Sequence, residues 1–329
     1  MMRLTTVELR RLFSRRLTAF ALLGALLITG LMLFGAFQEA KPLSGEELAS
    51  QQLGLKMAQQ EWALNGKQQM EGCLQMQADM QKQDPKFDAG CAQMVPTMEN
   101  MGKPVAKFTA MMPNSFMGGA YLLASISFLI GAGFVAAEFS SGSMANWLTF
   151  EPRRMRVYAS KLAAAGFGLV PVVVGLLGLL TAGIWLLARQ LGTTDGTTAE
   201  VWGDLAEMGG RAVALAMAAA VGGAAVAMLL RNTAAVLGIA VGYLVIVETV
   251  LGSSLQAARP WLLQLNVQSW LQHDANYFIS SCATDSTGQF ACQEVQKVLS
   301  FGHSAAYLGL LMVFGVALAA LVFRRRDVS

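Results

Sequence analysis

The sequence is poor in charged residues and in histidine. Asp, Glu, Lys and Arg together make up 14% of the 329 residues, and only two histidines occur. Soluble globular domains carry about 25% charged residues. Hydrophobic residues reach 54%, and the mean hydropathy is +0.47. These proportions exclude an ordinary soluble domain and indicate a chain that lies largely in a membrane.

Several motifs are absent, and each absence excludes a class of protein. No Gly-x-x-x-x-Gly-Lys-Ser/Thr sequence occurs, so the chain carries no phosphate loop for hydrolysing ATP. Neither His nor Asp falls within the long apolar stretches, which argues against an intramembrane protease. The net charge is only +3, and we predict no nucleic-acid partner.

Six apolar stretches are each about 20 residues long, enough to cross a hydrocarbon core of roughly 30 Å as a helix. The first follows a basic segment as a secretory signal would, but it is too long and lacks a convincing cleavage site, so we expect it to be retained. The sequence therefore predicts an all-α polytopic membrane protein with six transmembrane helices. Their predicted bounds are 17–37, 116–137, 162–188, 212–230, 233–251 and 305–323.

Arginine and lysine cluster in alternate connections, which predicts the orientation of the chain. The basic stretches lie before the first span, at 153–161, at Arg231 and at 324–326. Residues 38–115, in contrast, hold nine acidic residues, seven lysines and no arginine. The positive-inside rule then puts both termini in the cytoplasm. The cytoplasmic segments are 1–16, 138–161, 231–232 and 324–329, and the extracytoplasmic ones are 38–115, 189–211 and 252–304.

The four cysteines agree with that orientation. Cys73 and Cys91 lie in the first extracytoplasmic region, and Cys282 and Cys292 lie in the last. We predict disulfides, most simply within each region, although four cysteines allow three connectivities. His273 and His303 flank the second pair, but without a Cys-x-x-Cys spacing we predict no metal site.

The segments outside the spans have their own helical patterns. Residues 1–16 carry an apolar stripe opposed by arginines, which predicts an interfacial helix that bends near Ser14 into the first span. Residues 43–101 are rich in helix formers, and we expect two or three helices with a break at Asp84-Pro85. The methionines there are interpreted as packing residues rather than as a ligand surface.

Individual residues in or near the apolar stretches suggest structural or functional roles. Glu248 is the one acidic residue well inside a span, and either a transport-pathway role or an interhelical contact would account for it. Pro171 predicts a kink in the third span. Trp261 and Trp270 are expected to anchor the last region at the membrane interface.

The segment between the second and third spans is short and polar. Residues 139–148 can form about two and a half helical turns, and Glu151-Pro152 should end that helix. This segment resembles the corresponding region of ABC-2 type permeases, the membrane subunits of type V ABC exporters. The residues that carry the resemblance are Glu138, Ser141-Gly142-Ser143, Pro152-Arg153-Arg154 and Lys161-Leu162. The six spans and the interfacial helix extend the resemblance over the whole chain.

The resemblance implies that this segment is a coupling helix, which contacts a separate ATPase subunit that binds ATP and Mg. It also implies a second permease subunit, identical or different, and export or membrane extraction of a drug, a lipid or a lipid-linked molecule across a plasma membrane, here the bacterial inner membrane. The implied ATPase contacts are Glu138, Phe139, Ser141, Gly142, Ser143, Asn146, Trp147, Glu151, Pro152, Arg153 and Arg154.

A second function remains open at this stage. The chain could be a membrane sensor or anchoring subunit whose extracytoplasmic region binds a ligand or a protein. An associated ATPase would not separate the two functions, whereas substrate-dependent ATPase activity in liposomes would.

Overall fold

The computed structural model describes residues 2–82, 87–284 and 290–325, which are mainly helical. In chain order the α-helices and strands are α1 (Met2–Ser14), α2 (Arg16–Ala40), α3 (Gly45–Gln81), α4 (Met98–Met101), α5 (Phe108–Ser140), α6 (Ser143–Phe150), α7 (Arg154–Gly168), α8 (Val170–Leu191), α9 (Ala199–Leu230), α10 (Thr233–Gly242), α11 (Gly252–Ser254), α12 (Leu263–Gln272), β1 (Asp274–Thr284), β2 (Phe290–Ser300) and α13 (Phe301–Arg325). A π-helix (Tyr243–Leu251) joins α10 to α11, and 3₁₀ turns lie at Cys91–Met94 and Gln256–Trp261.

Within the described residues, six helical segments are long and apolar enough to cross a membrane, as the sequence predicts. They are Arg16–Ala40, Phe108–Ser140, Arg154–Leu191, Ala199–Leu230, Thr233–Ser254 and Phe301–Arg325. Their apolar surfaces suit a multi-pass membrane protein. The cytoplasmic location of both termini and the interfacial position of α1 stay predictions.

The chain divides into two compact units. The larger contains residues 1–34, 109–185 and 196–329, and the smaller contains residues 35–108 and 186–195. The longest element of the smaller unit is the 37-residue helix α3, which is followed by the 3₁₀ turn and the single turn of α4. The expected break at Asp84-Pro85 lies outside the described residues.

Helix α3 begins with a capping box. The backbone N–H of Ser44 donates to the Glu47 carboxylate at 2.7 Å, and the Glu47 N–H donates to the Ser44 hydroxyl at 3.4 Å. The hydrogen bond from the Ser44 backbone lowers the pKa of Glu47. At pH values above the ordinary pKa of Glu, the cap therefore stabilises the helix. This contribution is lost as the pH falls through the lowered pKa of Glu47.

A disulfide joins Cys73 of α3 to Cys91, as predicted. Both residues are buried in a unit whose long helix has few other buried positions. The amide of Gln59 donates to the Pro96 carbonyl at 3.2 Å, and the Ala89 N–H donates to the Gln77 side chain at 3.2 Å. The covalent bond and these polar contacts hold the segment after α3 against the helix.

In the larger unit, α5 and α9 pack through glycine. A Cβ atom on Gly131 would overlap the Ala220 carbonyl, and one on Gly223 would overlap the Phe128 carbonyl. These two glycines therefore bring the backbones of α5 and α9 into direct contact. The third span is broken at Leu169, two residues before Pro171, because proline removes a backbone donor and its ring crowds the preceding turn.

The prediction of an all-α chain is wrong for residues 274–300, where β1 and β2 form an antiparallel hairpin. Tyr277, Phe278 and Ile279 in β1 and the valines of β2 favour strands over helix. The register sets the backbone of Cys282 opposite that of Cys292. Directly opposed residues lie within the Cα separation that a disulfide needs. The side chains of both cysteines lie outside those that the structure describes, so this second disulfide stays a prediction.

We expect Cys73→Ser to lower the free energy of unfolding of the smaller unit by about 3 kcal/mol, because the bond closes an 18-residue loop. Pulse proteolysis of the detergent-purified chain over a urea series measures the change. Met76→Ser, at an exposed position of the same helix, serves as the matched control. Equal protease resistance of Cys73→Ser and the unchanged protein would contradict a stabilising role for the bond.

Candidate functional site

The short helix between the second and third spans is α6, and it begins later than the sequence predicts. Phe139 and Ser140 still belong to α5, and the chain turns at Gly142, whose φ of 68° lies in the left-handed region that favours glycine. Helix α6 then covers eight residues and ends at Phe150. The predicted stop at Glu151-Pro152 lies directly after it.

Four charged side chains meet near the end of α5, and we call Glu8, Arg15, Glu138 and Lys161 the charge cluster. The Lys161 ammonium lies 3.0 Å from a Glu8 carboxylate oxygen and 2.5 Å from a Glu138 oxygen. The other Glu138 oxygen accepts from the Arg15 guanidinium at 2.9 Å. These contacts tie α1 to the end of α5 and to the start of the third span.

The charge cluster is shielded from solvent. The side chains of Glu8 and Lys161 are fully buried, Glu138 is 2% exposed and Arg15 is 24% exposed. Burying an isolated charge costs several kcal/mol, so these groups depend on one another for compensation. The ring of Phe134 faces both the Lys161 ammonium and the Arg15 guanidinium, with each cation 5.2 Å from the ring centre.

Helix α6 is attached to the same assembly by an aromatic contact. The Arg11 guanidinium of α1 lies 4.2 Å from the centre of the Trp147 ring. The hydroxyl groups of Ser141 and Ser143 lie 3.0 Å apart, and that of Ser143 donates to the Glu138 carbonyl at 3.4 Å. The Arg231 guanidinium lies 5.2 Å from the centre of the Phe139 ring. The position of α6 is thus set by α1 and by the end of α5.

The predicted contact residues divide into an inward and an outward group. Glu138 is buried, and Trp147 and Phe139 are half-buried against arginines, so these three residues hold the segment in place. The others are exposed (Ser141, Gly142, Asn146, Pro152 and Arg153) or half-buried (Ser143, Glu151 and Arg154). The exposed residues of the outward group can reach a partner without a change in structure.

Sequence reasoning missed several residues of this site. Phe150, at the end of α6, is 83% exposed, and Met155 beyond it is also exposed. An aromatic residue directly before Glu151-Pro152 was the available signal. Glu8 was also missed, although it is the one acidic residue among the arginines of α1. The sequence assigns Arg15 to the basic segment that sets membrane orientation and to the polar face of residues 1–16, and does not predict its ion pair with Glu138.

Glu248 lies apart from the charge cluster, in the π-helix of the fifth span. Its carboxylate accepts the backbone N–H of Leu263 at 2.7 Å and that of Gln264 at 3.2 Å. These are the first residues of α12, whose free N–H groups attract a negative charge. Of the two predicted alternatives, the interhelical contact is the one that this geometry fits.

The two histidines form ring contacts. His273 stacks on Phe301 with ring centres 4.7 Å apart, and His303 lies edge-on to Trp261 at 5.3 Å. The Trp270 indole donates to the Arg211 carbonyl at 2.9 Å. Within residues 2–82, 87–284 and 290–325, the described side chains form no group of three potential metal ligands.

We expect Lys161→Met to lower the free energy of unfolding by about 3–5 kcal/mol, because two carboxylates would lose their shared cation in a buried site. Adding Glu8→Gln should restore part of that loss by removing one uncompensated charge. Thermal unfolding in detergent measures both changes. Lys82→Met, which breaks only the exposed pair with Asp79, is the control and should leave the melting temperature unchanged.

For Glu248→Ala we expect faster amide exchange in the first turn of α12, with a local free-energy change of about 1–2 kcal/mol, because the helix loses its cap. Hydrogen–deuterium exchange of a peptide spanning residues 262–268 measures it. The neighbouring change Thr249→Ala removes a hydroxyl that bonds only within the π-helix and should leave that peptide unchanged. Unaltered exchange in Glu248→Ala would rule out the capping role.

Comparison with known proteins adds no family assignment to this geometry. No protein-family model, no curated protein and no solved structure matches the chain. The resemblance to ABC-2 permeases therefore rests on the sequence positions given above, and the function that it implies is argued below as a proposal.

Proposed function

We propose that the chain is the membrane-spanning permease subunit of an ATP-driven exporter. It moves a hydrophobic or amphipathic compound, such as a drug, a lipid or a lipid-linked molecule, across or out of the membrane. The sequence has no phosphate loop, so a separate ATPase subunit binds ATP and Mg and supplies the energy. A second permease subunit, identical or different, completes the transport path.

One observation carries this proposal: a two-turn helix with an exposed outer face is mounted on a buried network of charges that joins three helices. Helix α6 is too short to be stable by itself in water, since isolated helices need about 12–15 residues. Its position depends on Arg11 beneath Trp147 and on the charge cluster. A force applied to α6 is therefore passed to α1, α5 and α7 rather than absorbed by a loose loop.

The outer face of the segment has the chemistry of a protein contact. Phe150 is almost fully exposed, and Pro152 and Arg153 follow directly. Interface energy is concentrated in aromatic and arginine side chains that enter a partner's pocket. We therefore assign Phe150 as the anchor of the ATPase contact and Arg153 as a charged neighbour at its rim.

The proposed contact is tested by co-purification with the ATPase subunit encoded or expressed alongside this chain. We expect Phe150→Ala to weaken the affinity for that subunit roughly thirtyfold, the loss typical of an aromatic anchor. Phe278→Ala, which removes an equally aromatic exposed side chain from β1, is the matched control and should bind normally. Binding of the ATPase to Phe150→Ala with unchanged affinity would contradict the assigned anchor.

The transport function has its own measurement. In liposomes containing both subunits, ATP hydrolysis should rise with an amphipathic substrate and fall to the unstimulated level in Phe150→Ala. A complex that forms but hydrolyses ATP at one constant rate, with or without any amphiphile, would favour the sensor or anchoring function instead.

A further inference from the structure

A cavity of about 560 Å³ lies within the larger unit, where α5, α9 and α12 come together. Its volume falls in the range of small-molecule sites. Its lining combines acidic, basic and apolar residues. These are Pro113, Asp204, Glu207, Met208, Arg211, Leu271, Gln272 and His273.

The cavity lies at the level of a membrane boundary. Arg211 directly precedes the apolar stretch 212–230 of α9, and Pro113 lies three residues before the apolar stretch 116–137 of α5. Charged residues at the ends of spanning helices meet lipid headgroups. A ligand in this cavity would therefore have its polar part level with the headgroups.

The charged residues of the cavity share one face of α9. Asp204, Glu207 and Arg211 follow at spacings of three and four residues, which places them one above another along the helix. The described ion pairs include none of these three side chains. Both carboxylate-bearing residues are exposed.

Arg211 is held in place while part of its guanidinium lacks a partner. Its Nε donates to the Glu207 carbonyl at 3.4 Å, and its own carbonyl accepts from Trp270 at 2.9 Å. Its Nη1 is buried and has no hydrogen-bond partner among the described residues. The Arg211 side chain lines the cavity and has no carboxylate partner among the described ion pairs, so an anionic group in the cavity would be bound favourably.

The wall opposite α9 is formed by the end of α12. Leu271 is fully buried there, and His273 ends the helix with a φ of 77°, a left-handed conformation that costs energy for a residue other than glycine. The stack of His273 on Phe301 holds this turn at the edge of the cavity. The wall is thus apolar in its depth and polar at its rim.

We propose that this cavity binds the headgroup of a zwitterionic phospholipid that carries a primary ammonium group. The phosphate lies against Arg211, the ammonium donates to Asp204 and Glu207, and the glycerol end of the lipid contacts Met208. The assignment uses only the geometry of α9 and α12 and does not depend on the proposed export function.

Other ligand classes fit the cavity less well. A purely anionic ligand would meet the carboxylates of Asp204 and Glu207, and a purely cationic one would leave the Arg211 guanidinium without an acceptor. A quaternary ammonium headgroup has no N–H to donate to the carboxylates. A headgroup with an ammonium and a phosphate satisfies both signs of charge at once.

The test is a binding titration of the detergent-purified full chain, read by native mass spectrometry, with three dihexanoyl lipids. The headgroups are phosphoethanolamine, phosphocholine and phosphoglycerol. We expect the phosphoethanolamine lipid to bind most tightly. Arg211→Gln should weaken its binding about tenfold, the effect of losing one hydrogen bond to a charged group.

Two further variants keep the result decisive should Arg211→Gln not fold. The first is the double variant Asp204→Asn and Glu207→Gln, with both changes at exposed positions. It should abolish the preference for phosphoethanolamine over phosphocholine, and it should strengthen binding of the phosphoglycerol lipid. Glu200→Gln removes an exposed carboxylate from the first turn of α9, outside the cavity, and should change none of the affinities.

Three results would overturn the proposal. The first is equal binding of the three lipids to the unchanged protein. The second is a preference for phosphoethanolamine that survives the double change at Asp204 and Glu207. The third is displacement of the lipid by water-soluble glycerophosphoethanolamine at equal concentration, which would show that the acyl chains contribute nothing and that the ligand is not a lipid.

Discussion

The structure around α6 depends on one buried ammonium group. Lys161 lies between Glu8 and Glu138, and these carboxylates come from segments more than 120 residues apart in the chain. Neither carboxylate could be buried as an anion without this cation, and the cation could not be buried without them. The pairing of α1 with α5 and α7 is therefore specific, since a shift of any one of them exposes an uncompensated charge to an apolar environment.

Features that depend on local chemistry were predictable from the sequence. The six spans follow from runs of apolar residues, and the end of α6 follows from Glu151-Pro152. The pairing of Cys73 with Cys91 follows from their proximity in one region. Features that depend on distant partners were not predictable. The sequence marks Glu8 as an acidic residue in a basic helix but does not reveal that Lys161, far along the chain, neutralises it.

Two local predictions were wrong, the start of α6 and the absence of strands. The start of α6 was predicted at Phe139 because the helix-forming pattern is continuous there, whereas a single left-handed glycine, Gly142, divides it into two helices. The hairpin of β1 and β2 was missed although its strands pair over 11 residues each. The aromatic and β-branched residues of Asp274–Thr284 were the signal for it.

Arg15 is the only residue between α1 and α2. The rotation of α1 about its axis relative to α2 therefore decides whether Glu8 and Arg15 reach their partners in the charge cluster. Each residue of an α-helix turns the chain by about 100°. One residue added or removed near Ser14 would rotate Glu8 away from Lys161 or turn Arg15 away from Glu138. The length of this connection is therefore fixed more strictly than its composition: relatives should vary in sequence here while keeping the same number of residues between Glu8 and Arg15.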